Sequence, residues 1–199
     1  MSEIAENINE AVEKAHESRL NTVVAALVAL SATFMAICNV KGGNVVQGMS
    51  KAQTESVDTW AYYQAKGTKQ NLAEATADQL AITRDVTPGL TPEGRAVLDK
   101  KIADYQAKSK KYELEKDEIK KHAESLGKEY ERLNVKDDQF DIAESCLSVG
   151  IALMGVTALT QKKWLLGVAG VFAGFGIMIG LAGFLGWNLR PEWLAKLLG

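Results

Sequence analysis

Residues 164–189 read WLLGVAGVFAGFGIMIGLAGFLGWNL, a run of 26 residues without an acidic or basic side chain. A helix of that length rises about 39 Å, which is enough to cross the roughly 30 Å hydrocarbon core of a bilayer. Trp164 and Trp187 bracket the run, at the positions where membrane helices carry interfacial aromatic residues. We therefore predict a membrane-spanning helix over residues 164–189.

Two other stretches are similarly poor in charge. Residues 20–40 contain no acidic or basic side chain, and residues 142–161 contain only Glu144. The residues between them, 44–141, carry 16 Lys or Arg and 18 Asp or Glu, which is typical of a segment in water. This segregation predicts an all-α integral membrane protein with three transmembrane helices, at 20–40, 142–161 and 164–189.

Small residues recur on one face of the first span. Spacings of three and four place them on the same side of a helix, and small side chains let membrane helices approach closely. We predict that this face packs against another helix. Its members are Ala25, Ala29, Ala32 and Ala36.

The third span contains two GxxxG pairs, Gly170/Gly174 and Gly176/Gly180. We expect the two pairs on nearly opposite faces of the helix. One face would serve the second span, which is joined to the third by residues 161–163 alone. The other face then predicts contact with another subunit, either in a homo-oligomer or with a partner membrane protein.

Two long helices are predicted within residues 44–141, on either side of a break at residues 87–94. Pro88 ends the first, and Thr91 with Pro92 begins the second as N-cap and first helical residue. The second helix carries apolar residues every seven positions, which is typical of a coiled-coil seam and predicts a long antiparallel hairpin. The members of this seam are Leu98, Tyr105, Tyr112, Ile119, Leu126 and Leu133.

The first helix of the hairpin has a small-residue face that we expect to lie along this seam. A thin pair of helices buries little apolar area, so we also expect lateral assembly with other copies or with a partner. The face consists of Ala61, Ala65, Thr68, Leu72, Ala75, Gln79, Ile82 and Val86.

Residues 60–66 read WAYYQAK, the most distinctive run in the chain. Together with the small-residue first span, the heptad helix and the close turn at residues 160–164, the run resembles a widespread bacterial family of membrane proteins described only as a domain of unknown function. The resemblance covers residues 20–189 and implies this architecture and a bacterial membrane location, without any activity. We interpret Trp60, Tyr63 and the nearby Lys66 either as packing within the hairpin or between subunits, or as a membrane-proximal docking surface or ligand groove.

Basic residues set the expected orientation in the bacterial inner membrane. The two lysines of residues 161–163, supported by Lys14 and Arg19, predict a cytoplasmic amino terminus and an extracytoplasmic hairpin. Basic residues in the tail favour the opposite orientation. We expect the acidic residues 1–19 to form an amphipathic leader helix rather than a cleaved signal peptide, and residues 190–199 to form an interfacial helix.

Three residues in or beside the spans leave alternatives open. Cys38 and Cys146 are either two small buried residues or a disulfide bridge between the first two spans. Glu144 is either a carboxylate at the level of the lipid headgroups or part of an ion or proton relay.

Nothing in the sequence indicates catalysis. His16 and His122 are isolated, and no phosphate-binding glycine loop is present, so we expect neither an enzyme nor a cofactor or metal site. The interleaved charges argue against nucleic acid as a partner. The architecture favours a non-enzymatic structural or interaction protein in contact with membrane lipids, acting as a self-assembling scaffold or as an accessory subunit of a larger membrane complex. The alternative is an oligomeric membrane pore with Glu144 at its mouth.

Overall fold

The computed structural model describes residues 2–187, with side chains at Lys14 and from residue 19 onward. Within that range the chain is all-helical and contains no strand. The predicted tail helix at residues 190–199 lies outside the described residues. The backbone of the predicted leader is helical from residue 2 onward. Its amphipathic character depends on side chains outside the described ones. The elements are α1, Ser2–Val86; α2, Pro92–Thr160; and α3, Lys163–Leu185.

Each of the three helices contains a stretch that is long and apolar enough to cross a membrane. The prediction of an all-α chain with three such stretches is therefore confirmed. The chain divides into two compact units, which we call the apolar unit and the hairpin unit. The apolar unit comprises Met1–Gly48 and Arg132–Gly199, and the hairpin unit comprises Met49–Glu131.

All three helices contribute to the core of the apolar unit. Val24 of α1, Leu147 and Met154 of α2, and Ala169 and Ala173 of α3 form one buried cluster. The small residues of this cluster, Ala169 and Ala173, both belong to α3 and let its neighbours approach closely.

The connection between α2 and α3 is very short. Gln161 has a positive φ of 57°, and Lys162 is extended immediately before α3 begins. The Gln161 side chain donates hydrogen bonds to Asn21 Oδ1 at 3.0 Å and to Ala158 O at 2.6 Å. These bonds hold the turn against α1 and explain how two neighbouring apolar helices reverse direction within so few residues.

The hairpin unit pairs the arms of α1 and α2 in antiparallel fashion. Arg84 binds Asp99 at 2.7 Å close to the turn, and Ser109 donates to Glu74 at 2.7 Å further along. The residue numbers of the contacting residues increase along α2 as they decrease along α1, as in an antiparallel pair. The turn begins after Val86, and the Gly94 N–H donates to Thr91 Oγ1 at 3.1 Å, so Thr91 caps α2 as the sequence predicts.

Small side chains dominate the contact between the arms of the hairpin unit. Ala52, Ala73 and Ala77 of α1 are buried, and so are Ile102 and Ala123 of α2. Such a core is narrow, because alanine pairs bury little apolar area although they let helices approach closely.

The prediction that the small-residue face of α1 lies along the seam is wrong. All eight of its residues are exposed, because the arm packs through the opposite side of the helix. Spacing of three and four occurs on both sides of this arm, and the packed side includes Lys66 and Arg84, whose ion pairs to α2 compensate for their charge. The misplaced residues are Ala61, Ala65, Thr68, Leu72, Ala75, Gln79, Ile82 and Val86.

Candidate functional site

One glycine face of α3 is closed within the apolar unit. Gly176, Gly180 and Gly183 are buried. A Cβ at Gly176 would lie 2.9 Å from the carbonyl oxygen of Ala143, and a Cβ at Gly180 would lie 2.8 Å from the ring of Phe34. Both distances are shorter than van der Waals contact. Glycine at these positions therefore lets α2 and α1 approach α3 this closely.

The other glycine face of α3 is open. Gly167, Gly170 and Gly174 are exposed, and a Cβ at any of them would meet nothing within 4 Å. Exposed apolar side chains continue the surface along the helix. We define the open α3 face as Gly167, Gly170, Gly174, Met178, Leu181 and Leu185.

The two GxxxG pairs are not on opposite sides of α3, which corrects the prediction. Six residues separate Gly170 from Gly176, and at about 100° per residue they lie roughly 120° apart around the helix. The pairs nevertheless differ fully in surroundings: Gly176 and Gly180 are covered, whereas Gly170 and Gly174 are not.

The alanine face predicted on the first span is not the face that packs within the apolar unit. Val24, Ser31 and Cys38, spaced seven residues apart, are buried instead. Of the predicted face, only Ala32 is half-buried and the rest is exposed. Packing of this face against another helix therefore stays a prediction. Its members are Ala25, Ala29, Ala32 and Ala36.

The heptad residues of α2 lie on the side of that helix that faces its neighbours. All six are half-buried, and Ile102, Ser109 and Ala123 are buried on the same side. The structure thus brings them onto one side of α2, with the buried residues Ile102, Ser109 and Ala123 between them. The six are Leu98, Tyr105, Tyr112, Ile119, Leu126 and Leu133.

The WAYYQAK run forms part of a cluster of aromatic and lysine side chains in the hairpin unit. The rings of Trp60 and Tyr63 meet edge to face, with centroids 5.5 Å apart. Lys116 Nζ lies 5.1 Å from the centroid of the Tyr63 ring and donates to Gln70 Oε1 at 3.1 Å. Each arm therefore supplies a group that holds the other.

Lys66 lies at the centre of this cluster. Its Nζ is 5.3 Å from the ring centroids of both Tyr62 and Tyr112 and donates to Glu115 Oε2 at 2.5 Å. This hydrogen bond lowers the pKa of Glu115 and raises the pKa of Lys66, so both groups stay charged near neutral pH. We define the aromatic–lysine cluster as Trp60, Tyr62, Tyr63, Lys66, Tyr112, Glu115 and Lys116.

These contacts favour the packing interpretation for Lys66, whose side chain is only 13% exposed. Trp60 remains 37% exposed, so docking at its outer edge stays a prediction, whereas Tyr63 is half-buried. The chemistry of the cluster is that of attachment between helices, because Lys66 and Glu115 are paired with each other and Lys116 is bound to Gln70.

The residues for which the sequence left alternatives open have simple surroundings. The Glu144 carboxylate accepts a hydrogen bond from Asn39 Nδ2 at 3.2 Å. Cys38 and Cys146 are both free, so the structure contains no bridge between them. Among the described residues, no group of three or more His, Cys, Asp or Glu side chains could hold a metal ion.

Comparison with known families accounts for the resemblance. The model of a domain of unknown function, DUF4337, matches residues 20–186. The chain belongs to the DUF4337 family. The sequence-based prediction of a family described as a domain of unknown function is therefore confirmed. No curated protein and no solved structure matches the chain.

Sequence reasoning missed one close contact in this DUF4337 chain. A Cβ at Gly150 of α2 would lie 3.1 Å from the backbone nitrogen of Ala173 and 3.2 Å from the carbonyl oxygen of Ala169. Gly150 therefore marks a second place, besides Gly176, where the backbones of α2 and α3 come close. A glycine in the middle of an apolar helix is the signal that could have indicated this contact.

Proposed function

We propose that this chain is a non-enzymatic membrane protein with a structural or interaction role, either as a self-assembling scaffold or as an accessory subunit of a larger membrane complex. The three apolar stretches anchor it in the bilayer. The hairpin unit is the water-exposed contact element, and its arms pair in the manner of a short antiparallel coiled coil.

Exposed side chains on the apolar unit support anchoring in a membrane. Leu30 of α1, Leu159 of α2 and Val171 of α3 are 70%, 87% and 71% exposed. In water, each would forgo most of the roughly 1.5–3 kcal/mol that burial of such a side chain provides. Lipid tails solvate these side chains instead, and all backbone groups within a helix are already hydrogen-bonded.

The open α3 face carries the proposal of assembly. Apolar side chains gain little by leaving lipid for another helix, so close approach over small residues drives association in a bilayer. Gly176 and Gly180 already serve contacts within the chain, whereas nothing covers Gly170 and Gly174 among the described residues. A helix of a second subunit fits this surface best.

The proposed location is the inner membrane of a bacterium. Lys162 and Lys163 are exposed at the turn between α2 and α3, which suits a cytoplasmic loop. Three crossings then place the amino terminus in the cytoplasm and the hairpin unit on the other side.

Native mass spectrometry of the protein in mild detergent tests the proposal. We expect a discrete multiple of the 21.6 kDa subunit, or a complex with another protein in fixed ratio. Gly174→Leu should reduce this assembly without preventing insertion. Gly155→Leu on α2 is the matched control, because a Cβ at Gly155 also meets nothing within 4 Å.

Two results would overturn the proposal. If the wild-type chain were a monomer in every mild detergent, with the same mass distribution as Gly174→Leu, the basis for assembly would be removed. Ion flux through liposomes that contain the purified protein, abolished by Glu144→Gln, would favour the pore instead.

A further inference from the structure

The hairpin unit leaves one long face of α1 uncovered. Eight residues at spacings of three and four lie opposite its packed side, and every one of them is exposed and uncharged. Leu72, Ile82 and Val86 are 66%, 62% and 68% exposed, so aliphatic side chains recur along a face that carries no charge. We define the uncharged α1 face as Ala61, Ala65, Thr68, Leu72, Ala75, Gln79, Ile82 and Val86.

The outward side of the α2 arm differs sharply in charge. Its eight residues at the same spacing are also exposed, but five of them are charged. A charged face is stable in water, whereas an uncharged face of equal length gains from being covered. The surface that needs a partner is therefore on α1. The outward residues of α2 are Lys100, Asp104, Ala107, Lys111, Leu114, Glu118, Lys121 and Ser125.

Hydroxyl groups on and beside the uncharged α1 face already have hydrogen-bond acceptors. Thr68 donates to Gln64 O at 3.1 Å, and Thr76 donates to Leu72 O at 2.7 Å. Thr83 donates to the carbonyl oxygen of Gln79 at 2.8 Å. Covering the face therefore leaves none of these three donors unsatisfied, so its burial avoids the usual desolvation cost of a hydroxyl.

We infer that the uncharged α1 face pairs with the same face of a second copy of this chain, with the two α1 arms parallel. The inference rests on the proposed function, because copies anchored in one membrane share one orientation. A two-fold axis along the membrane normal then brings equivalent residues together, so that Leu72 meets Leu72 and Ile82 meets Ile82. The charged outward faces of α2 remain in water.

The spacing of the face suits a parallel coiled coil. Ala65, Leu72, Gln79 and Val86 are seven residues apart, and the remaining four members, which begin at Ala61, have the same period. Gln79 is the one amide in the seam, and a polar residue at such a position selects a single register.

Residues that flank the face are compatible with this pairing. In a parallel coiled coil, a residue on one edge faces the residue five positions further along on the partner helix. No two like charges face each other in this arrangement. Two of the three facing pairs contain one charged residue each, and the third contains none. The facing pairs are Gln64 with Lys69, Asn71 with Thr76, and Asp78 with Thr83.

The face is small for a stable interface. Eight residues per copy are fewer than the roughly 20–30 residues per side of a typical stable complex. We therefore expect pairing where the membrane holds copies at high effective concentration, and the full chain in membranes is the appropriate sample.

Cysteine cross-linking in native membranes tests the inference. Leu72→Cys places a thiol on the uncharged α1 face, and Leu114→Cys places one on the outward side of α2, at leucines that are 66% and 62% exposed. After treatment with a short bis-maleimide, we expect several-fold more dimer for Leu72→Cys than for Leu114→Cys. The wild-type chain, which keeps Cys38 and Cys146, sets the background.

A second substitution checks that the contact is apolar. In the Leu72→Cys chain, Ile82→Glu should reduce the dimer several-fold, whereas Leu114→Glu should leave it unchanged. Circular dichroism of both double variants verifies that helix content is retained. The comparison of the two single cysteine variants does not depend on the glutamate variants folding.

The outcomes separate this inference from the proposed function. Equal cross-linking at positions 72 and 114, or none above background at position 72, would overturn the pairing. If native mass spectrometry still shows an assembly that Gly174→Leu reduces, the proposed function stands without it. Cross-linking of position 72 to a different protein would replace the second copy by a foreign partner.

Discussion

Lys66 Nζ lies 2.5 Å from Glu115 Oε2, so the WAYYQAK run on the α1 arm is joined to the α2 arm by a charged hydrogen bond. The Lys66 ammonium also lies over the rings of Tyr62 and Tyr112, which gives it three partners on two helices. The run is therefore part of what holds the hairpin unit together.

Lys66→Met should destabilise the hairpin unit, because it keeps the aliphatic stem and removes the charge that binds Glu115 and both rings. Urea unfolding followed by the fluorescence of Trp60 measures this, in a chain whose other three tryptophans are replaced by phenylalanine. Lys100→Met, on the outward side of α2, is the control and should leave the urea midpoint unchanged. Equal midpoints for the two variants would contradict the role of Lys66.

Acid should weaken the hairpin unit. A hydrogen bond from Lys66 lowers the pKa of Glu115. Hydrogen bonds from Ser109 and Gln70 lower the pKa of Glu74. A carboxylate whose pKa is lower in the folded state stabilises the fold at pH above its unfolded pKa, and the contribution is lost as the pH falls through the folded pKa.

The urea midpoint of the same Trp60 reporter chain should therefore fall as the pH drops below about 4.3, the ordinary pKa of a glutamate. Glu115→Gln should start from a lower midpoint at neutral pH and show a smaller decrease, since it has no charge to lose. A midpoint that rises in acid would reverse the expected sign.

The cap at the start of α2 gives a third prediction. Thr91 Oγ1 accepts a hydrogen bond from the Gly94 N–H, and Thr91→Ala removes that acceptor. We expect a loss of about 1 kcal/mol in the free energy of unfolding of the hairpin unit. Thr91→Ser keeps the hydroxyl and should stay close to wild type; a loss as large as that of the alanine variant would argue against capping.

The two faces of α3 should respond differently to the same small change. A Cβ at Gly176 would lie 2.9 Å from Ala143 O and from Leu147 Cγ, so Gly176→Ala should cost about 1–3 kcal/mol through overpacking. Gly174→Ala meets nothing within 4 Å inside the chain, so in a detergent that dissociates the assembly it should be neutral, or stabilising by up to about 1 kcal/mol through helix propensity. Thermal unfolding in detergent compares them, and similar losses for both would contradict the assignment of the faces.

Local patterns in the sequence were enough for the apolar stretches and for the turn between α1 and α2. The absence of charge over residues 20–40 and 164–189 predicts the apolar stretches, and Pro88 with Thr91 predicts where α1 ends and α2 begins. These features depend on residues that are near each other in the chain, because hydrophobicity, capping and proline geometry act within one or two helical turns.

Only the tertiary structure decided which faces meet. The α1 arm offers two sides at coiled-coil spacing, and the one with Lys66 and Arg84 is packed because Glu115 and Asp99 of α2 neutralise those charges. Similarly, Gly176 rather than Gly174 is closed, because Ala143 and Leu147 approach it from α2. Periodicity defines the faces of a helix. Which face is packed depends on the residues of the partner helix, which are far away in the sequence.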